Sequence, residues 1–194
     1  MNICAIVPVK RLSRSKTRLA PSLNTVERRD LTLRMLQRVL AILAKLFDQV
    51  VVVGSDEEIK RVSEDYDVSF EWDRSTSLNQ AVSQAINRCV RSRADAVFVV
   101  AADLPMISIA EVKRFLANIG DESVVICASK DCGTNALLMR PPGAIQARFG
   151  SNSLVRHLRE AAARGRKFKV YWSPGFMFDI DSARDLQLLE SLKK

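Results

Sequence analysis

The sequence predicts an α/β domain built on a doubly wound, mostly parallel sheet. Short apolar runs dense in Val and Ile recur along the chain, at Ile3 to Val7, Val50 to Val53, Ala96 to Ala101 and Ser123 to Ala128. They are nearly continuous rather than alternating, as strands covered by helices on both faces are. Stretches with helical apolar spacing lie between them, so strand and helix alternate. No internal repeat, low-complexity tract or long linker divides the 194 residues, and one domain over 1–194 is expected.

The elements follow in order. After the first strand comes a basic loop, then Asn24-Thr25-Val26-Glu27, in which Asn24 can cap a helix while Glu27 reaches back. Leu36, Val39, Leu40, Leu43 and Phe47 recur at helical spacing, predicting a helix to about Leu46. A second strand ends at Gly54, and Ser55 to Glu58 caps the next helix. Val68 to Glu71 reads as a short third strand, and a helix runs from Ser77 to about Arg91. The strongest strand, Ala96 to Ala101, leads into Ala102-Asp103-Leu104-Pro105, then a helix from Ser108 to Asn118 and the strand Ser123 to Ala128. Beyond Lys130 the rhythm changes: Gly133 to Met139 is a loop entering a strand, stopped by Pro141-Pro142. A helix through Ala163, a strand Phe168 to Trp172, the segment Phe178-Asp179-Ile180-Asp181 and a last helix complete the chain.

The net charge of +8 is unevenly placed. The first 38 residues hold nine Lys or Arg against Glu27 and Asp30 only. Such an excess suits a small polyanionic ligand; an RNA-binding module is the alternative. RNA binding would want aromatics among the basic residues, and residues 9–20 contain none, so no nucleic-acid partner is expected. The four cysteines show no C-x-x-C spacing, which disfavours a zinc or thioredoxin-type site, and Cys4 and Cys127 read as small buried hydrophobes. No apolar stretch approaches the roughly 18 residues of a membrane span and no signal peptide is recognisable. A cytoplasmic protein without a membrane partner is therefore expected.

The candidate chemistry sits where predicted strands end. In an open α/β sheet, ligands bind outside the carboxyl ends of the strands. The first strand ends in a loop carrying Lys10, Arg11, Arg14, Lys16 and Arg18, with Ser15 and Thr17 between them. Ammonium, guanidinium and hydroxyl donors all match phosphate oxygens. Neither a G-x-x-x-x-G-K-[ST] nor a G-x-G-x-x-G motif occurs, so side chains must hold much of the phosphate charge. Asp103 follows the strongest strand. Asp179 and Asp181 are two apart on an extended segment, so both face one way while Ile180 points inward. Three such carboxylates suit Mg²⁺, which takes oxygen ligands and shares substrate phosphates. Thr134, Asn135 and the Gly150 to Ser153 loop are small and polar, able to hold an anion or to cap a helix. His157, the single histidine, falls inside the helix that follows and reads as structural or peripheral.

The sequence resembles the 2-phospho-L-lactate guanylyltransferase family of deazaflavin coenzyme F(420) biosynthesis, within the MobA-like nucleotidyltransferase superfamily. The resemblance is carried by Val7-Pro8-Val9-Lys10, Ser15-Lys16-Thr17-Arg18-Leu19, Leu78-Asn79, Ala102-Asp103-Leu104-Pro105, Gly133 to Leu137, Phe149-Gly150 with Ser153, and Asp179-Ile180-Asp181 with Asp185-Leu186. Ser77 stands where the family usually shows Gly. The resemblance implies a Rossmann-like fold of the nucleotide-diphospho-sugar transferase type. It implies an enzyme that joins GMP from GTP to a phosphorylated three-carbon acid, 2-phospho-L-lactate or alternatively phosphoenolpyruvate, releasing pyrophosphate with Mg²⁺. By the same resemblance Asp103, Asp179 and Asp181 hold the metal, and Asp103, Lys16 and Arg18 serve catalysis. Lys10, Ser15, Asn79, Thr134, Asn135, Gly150 and Ser153 bind substrate. A homodimer is the expected assembly.

Overall fold

The computed structural model describes residues 1–75, 77–121 and 123–191. Among these, the strands are β1 (Ile3–Pro8), β2 (Gln49–Gly54), β3 (Ser69–Trp72), β4 (Ala96–Val100), β5 (Val124–Ala128), β6 (Thr134–Met139) and β7 (Phe168–Tyr171). The helices are α1 (Thr25–Leu43), α2 (Glu57–Asp65), α3 (Leu78–Arg91), α4 (Ile109–Leu116), α5 (Ser153–Ala163), α6 (Pro174–Met177) and α7 (Ala183–Ser191). One sheet takes the order β3-β2-β1-β4-β6-β5-β7. β1 pairs parallel with both β2 and β4, so the winding reverses direction between β1 and β4. That reversal opens a crevice beyond their carboxyl ends.

Both sheet faces are covered. Along β1, Ala5 and Val7 join one core with Leu36, Val39, Leu40 and Leu43 of α1, Ile59 of α2 and Phe115 of α4. The alternate residues Cys4 and Ile6 join a second core with Ala81, Val82, Ala85 and Ile86 of α3 and Leu154 and Ala161 of α5. Burial on both faces explains why the strands read as continuous Val and Ile. The Asn24 capping box forms as the sequence predicts: Glu27 N–H donates to Asn24 Oδ1 at 3.0 Å, and Asn24 N–H to Glu27 Oε2 at 2.7 Å.

Some elements differ from expectation. α1 ends at Leu43 rather than Leu46. Asp56 makes no side-chain cap on α2; its Oδ2 instead accepts from Leu12 N–H at 3.2 Å, tying the first loop to the β2–α2 corner. β6 runs antiparallel to both β4 and β5. No helix separates β5 from β6, and two strands joined by so short a connection can only form a hairpin. Cys4 does not stay an unpaired hydrophobe but forms a disulfide with Cys89 of α3, their Cα atoms 6.0 Å apart. They lie 85 positions apart in sequence, and only the packing of α3 on β1 brings them together. No helix among the described residues is long and apolar enough to cross a membrane.

Candidate active site

A cleft of about 630 Å³ lies over the carboxyl ends of β1 and β4, at the reversal of the sheet. The first loop forms one wall as two short 3₁₀ turns, Leu12–Arg14 and Thr17–Leu19, with Lys16 between them in the left-handed region at φ 50°. This uncommon backbone for a non-glycine residue turns Lys16 inward, where its side chain is only 6% exposed. Leu19 is fully buried with Leu31 and Met35 of α1 and with Ile180, which fastens the loop to the Asp179–Asp181 segment.

Burial of Ile180 puts the two flanking carboxylates together with Asp103. One oxygen from each of Asp103, Asp179 and Asp181 lies within 4.8 Å of the others. Lys16 Nζ donates to Asp103 Oδ2 and, at 3.1 Å, to Asp181 Oδ1. Burial pulls the Lys16 ammonium down, but the Asp103 and Asp181 carboxylates outweigh it and the pKa is raised. Arg18 approaches Asp181 at 3.7 Å from an exposed position. Asp179 is the buried member. Burial first, then the neighbouring Asp103 and Asp181 charges, push its carboxyl up to about 6 against the pull of Lys130. Its buried Oδ1 accepts no hydrogen bond among the described residues, the nearest cation being Lys130 Nζ at 3.5 Å. A buried carboxylate oxygen held among two other carboxylates fits a hard divalent cation with oxygen ligands.

Lys130 and Asp185 brace this cluster. Lys130 Nζ donates to the Asp179 carbonyl at 2.6 Å and pairs with Asp185 Oδ1 at 2.7 Å. Asp185 Oδ2 accepts from the backbone N–H of Asp181 at 3.0 Å and of Ser182 at 2.7 Å. Although burial acts to raise the Asp185 carboxyl, these partners hold it at about 2. Glu111 of α4 holds the preceding turn, its Oε1 accepting from Ser173 Oγ and, at 2.8 Å, from Gly175 N–H.

The opposite wall comes from the start of β6 and the loop into α5. Thr134, Asn135, Gly150 and Ser153 line the cleft. Gly150 has φ +115°, a conformation that favours glycine. Ser153 opens α5, is almost wholly buried, and its hydroxyl has no partner among the described residues. His157, wholly buried one helical turn further on, places Nδ1 3.0 Å from Thr134 Oγ1 and accepts Arg148 N–H on Nε2 at 2.9 Å. Burial, then Arg156 and Arg148 against Glu160, pull it down to about 4, so it is neutral near pH 7.

The residues singled out from sequence thus divide. Lys10, Ser15, Lys16, Arg18, Asp103, Thr134, Asn135, Gly150, Ser153, Asp179 and Asp181 all border the cleft. Within it, Ser15 Oγ donates to the Leu12 carbonyl at 2.8 Å and Asn135 Nδ2 to the Phe176 carbonyl at 2.8 Å, so both also hold backbone in place. Asn79 stands behind the lining and clasps Phe149, accepting its N–H at 2.7 Å and donating to its carbonyl at 3.1 Å. Ser77 caps α3, accepting Gln80 N–H at 3.3 Å. Sequence reasoning misses Lys130, Glu111 and the Thr134–His157 contact. Only the Asp185-Leu186 pair within the family resemblance hints at the brace.

The chain matches the family described as "Guanylyl transferase CofC like" over residues 3–191. It is 36% identical over 187 residues to the 2-phospho-L-lactate guanylyltransferase of Methanothermobacter thermautotrophicus, covering 96% of this chain and 83% of the relative. It is also 36% identical over 194 residues to the phosphoenolpyruvate guanylyltransferase of Rubrobacter xylanophilus, covering 98% and 95%. A solved nucleotidyl transferase from Methanothermobacter shares the fold with TM-score 0.71 and 17% identity, covering 98% of this chain and 97% of that one.

Proposed function

The chain belongs to the CofC-like guanylyl transferase family, and on that premise we propose that it joins GMP from GTP to 2-phospho-L-lactate, releasing pyrophosphate, in F(420) biosynthesis. The observation that carries this reading is one cleft with two unlike walls: a cationic loop beside three carboxylates, and a small hydroxyl-lined pocket facing it. The first suits a triphosphate, the second a small anion.

In this reading Asp103, Asp179 and Asp181 would hold Mg²⁺, which when bound supplies charge neutralisation at the reacting phosphates. Lys10, Lys16 and Arg18 orient the triphosphate. Thr134, the backbone at Gly150, Ser153 and the first turn of α5 hold the acid, whose phosphate oxygen faces the α-phosphorus. That oxygen attacks the α-phosphorus as the bond to the β-phosphate breaks, and pyrophosphate leaves with the electron pair. A phosphate monoester has its second pKa near 6, so the nucleophile is already anionic at neutral pH. No general base is required. His157 fits this account, because it is neutral, buried and committed on both ring nitrogens.

Phosphoenolpyruvate is the second reading, favoured by the equal identity to a phosphoenolpyruvate guanylyltransferase. The two acids differ in one unsaturation, which hydroxyl and backbone donors do not sense. Pyrophosphate release with GTP, ATP or CTP against each acid tests the proposal. Release is expected with GTP and 2-phospho-L-lactate together and not with either alone. A preference for phosphoenolpyruvate selects the second reading, and release with ATP or CTP instead of GTP overturns the guanylyl assignment.

A further inference from the structure

We propose that His157 is a positioning residue of the acceptor wall, donating Nδ1–H to Thr134 Oγ1 and so fixing that hydroxyl as a donor toward an anionic oxygen of the bound acid. The inference rests on the reading of Thr134 as an acceptor-binding residue.

The direction of each hydrogen bond follows from the one that cannot be reversed. Arg148 N–H reaches His157 Nε2 at 2.9 Å, and a backbone N–H can only donate. Nε2 therefore carries the lone pair, and a neutral ring must carry its hydrogen on Nδ1. The partner of that hydrogen is Thr134 Oγ1, 3.0 Å away, so the hydroxyl oxygen accepts and its own proton must point elsewhere. Thr134 opens β6 on the cleft, and its hydroxyl has no second partner among the described residues. The cleft is where an acceptor oxygen can meet that proton. With one lone pair taken by Nδ1–H, the hydroxyl proton is left for an acceptor in the cleft, and carboxylate or phosphate oxygen accepts it more strongly than a neutral group does.

The ring itself is held fast. It is wholly buried and packs edge-on to Phe149, centroids 5.0 Å apart. Phe149 is in turn clasped by Asn79, so the ring, Thr134 and the Gly150 loop form one unit.

Two substitutions separate the two ring nitrogens. His157→Asn can keep an N–H donor at the Nδ1 position and loses the acceptor for Arg148; His157→Gln can keep that acceptor and loses the donor to Thr134. Both are expected to lower the melting temperature. Acceptor KM, measured with 2-phospho-L-lactate and with phosphoenolpyruvate at saturating GTP, should rise about fivefold to tenfold in His157→Gln, the worth of one ordinary hydrogen bond. It should return most of the way to wild type in His157→Asn, with GTP KM unchanged in both. In a Thr134→Val background His157→Gln should add nothing. Equal acceptor KM in wild type and His157→Gln, with Thr134→Val raised, overturns the positioning role while leaving the acceptor wall intact. An unchanged acceptor KM in Thr134→Val removes the reading of the wall itself, and the inference with it.

Discussion

At the scale of single residues, the site turns on three carboxylates with oxygens within 4.8 Å of one another and one lysine turned into them. Burial first, then the neighbouring Asp103 and Asp181 charges, push the Asp179 carboxyl up to about 6. If they hold Mg²⁺, Asp103→Asn and Asp181→Asn should each lower turnover by roughly a hundredfold or more while far-ultraviolet circular dichroism stays native. Near-normal turnover at saturating Mg²⁺ would take them out of the site. Lys16→Ala and Arg18→Ala should raise GTP KM and lower kcat, with acceptor KM little changed at saturating GTP; an unchanged GTP requirement would mean the loop has another ligand. His157 gives the pH dependence. Its pKa falls from 6.5 to about 4 on folding, so the unfolded chain takes up a proton that the folded chain refuses. The stability linked to the neutral ring is complete above pH 6.5 and drains away toward pH 4, amounting to about 3 kcal/mol. Melting curves should therefore show wild type losing its advantage over His157→Asn as pH falls through that window; a constant gap would contradict the assignment. The aspartates were legible in sequence because Asp103 follows the strongest strand, Asp179 and Asp181 are spaced to share a face, and the basic first loop independently calls for a phosphate ligand. Lys130 was not, since its partners lie 49 and 55 residues away and meet it only in the folded chain.

At the scale of elements, the site depends on how short segments are clipped to the sheet. The turn at Pro174–Met177 is held by Glu111, and Gly175 sits so close that a Cβ there would fall 1.5 Å from Glu111 Oε2. Gly175→Ala should therefore displace the turn and the Asp179–Asp181 segment that follows. Both melting temperature and Mg²⁺ dependence of turnover are expected to worsen, and an unperturbed enzyme would show that the turn yields without moving the carboxylates. A four-residue helix leaves almost no periodicity to read, and the clip is a contact between α4 and the chain 62 to 64 residues on. By contrast, α1 was legible because Asn24 and Glu27 lie three residues apart and cap it using local contacts alone.

For the whole molecule, the sheet reverses its winding between β1 and β4, and the basic loop and Asp103 emerge from those two strands on the same edge. Continuous burial on both faces made the parallel strands readable. The antiparallel β6 was readable as a strand only, because pairing direction is set by connection length and sheet position, not by the residues of the strand. Lys10, Arg14, Lys16 and Arg18 of the first loop line the cleft beside its carboxylates, and such ammonium and guanidinium donors suit the oxygens of a triphosphate. Phosphorus-31 NMR of a reaction with GTP, Mg²⁺ and 2-phospho-L-lactate or phosphoenolpyruvate tests this most directly. A new diphosphate linkage between the α-phosphorus of GTP and the phosphate of the acid is expected, appearing one for one with pyrophosphate. Formation of GDP and inorganic phosphate, or an unchanged spectrum with both acids, would contradict it.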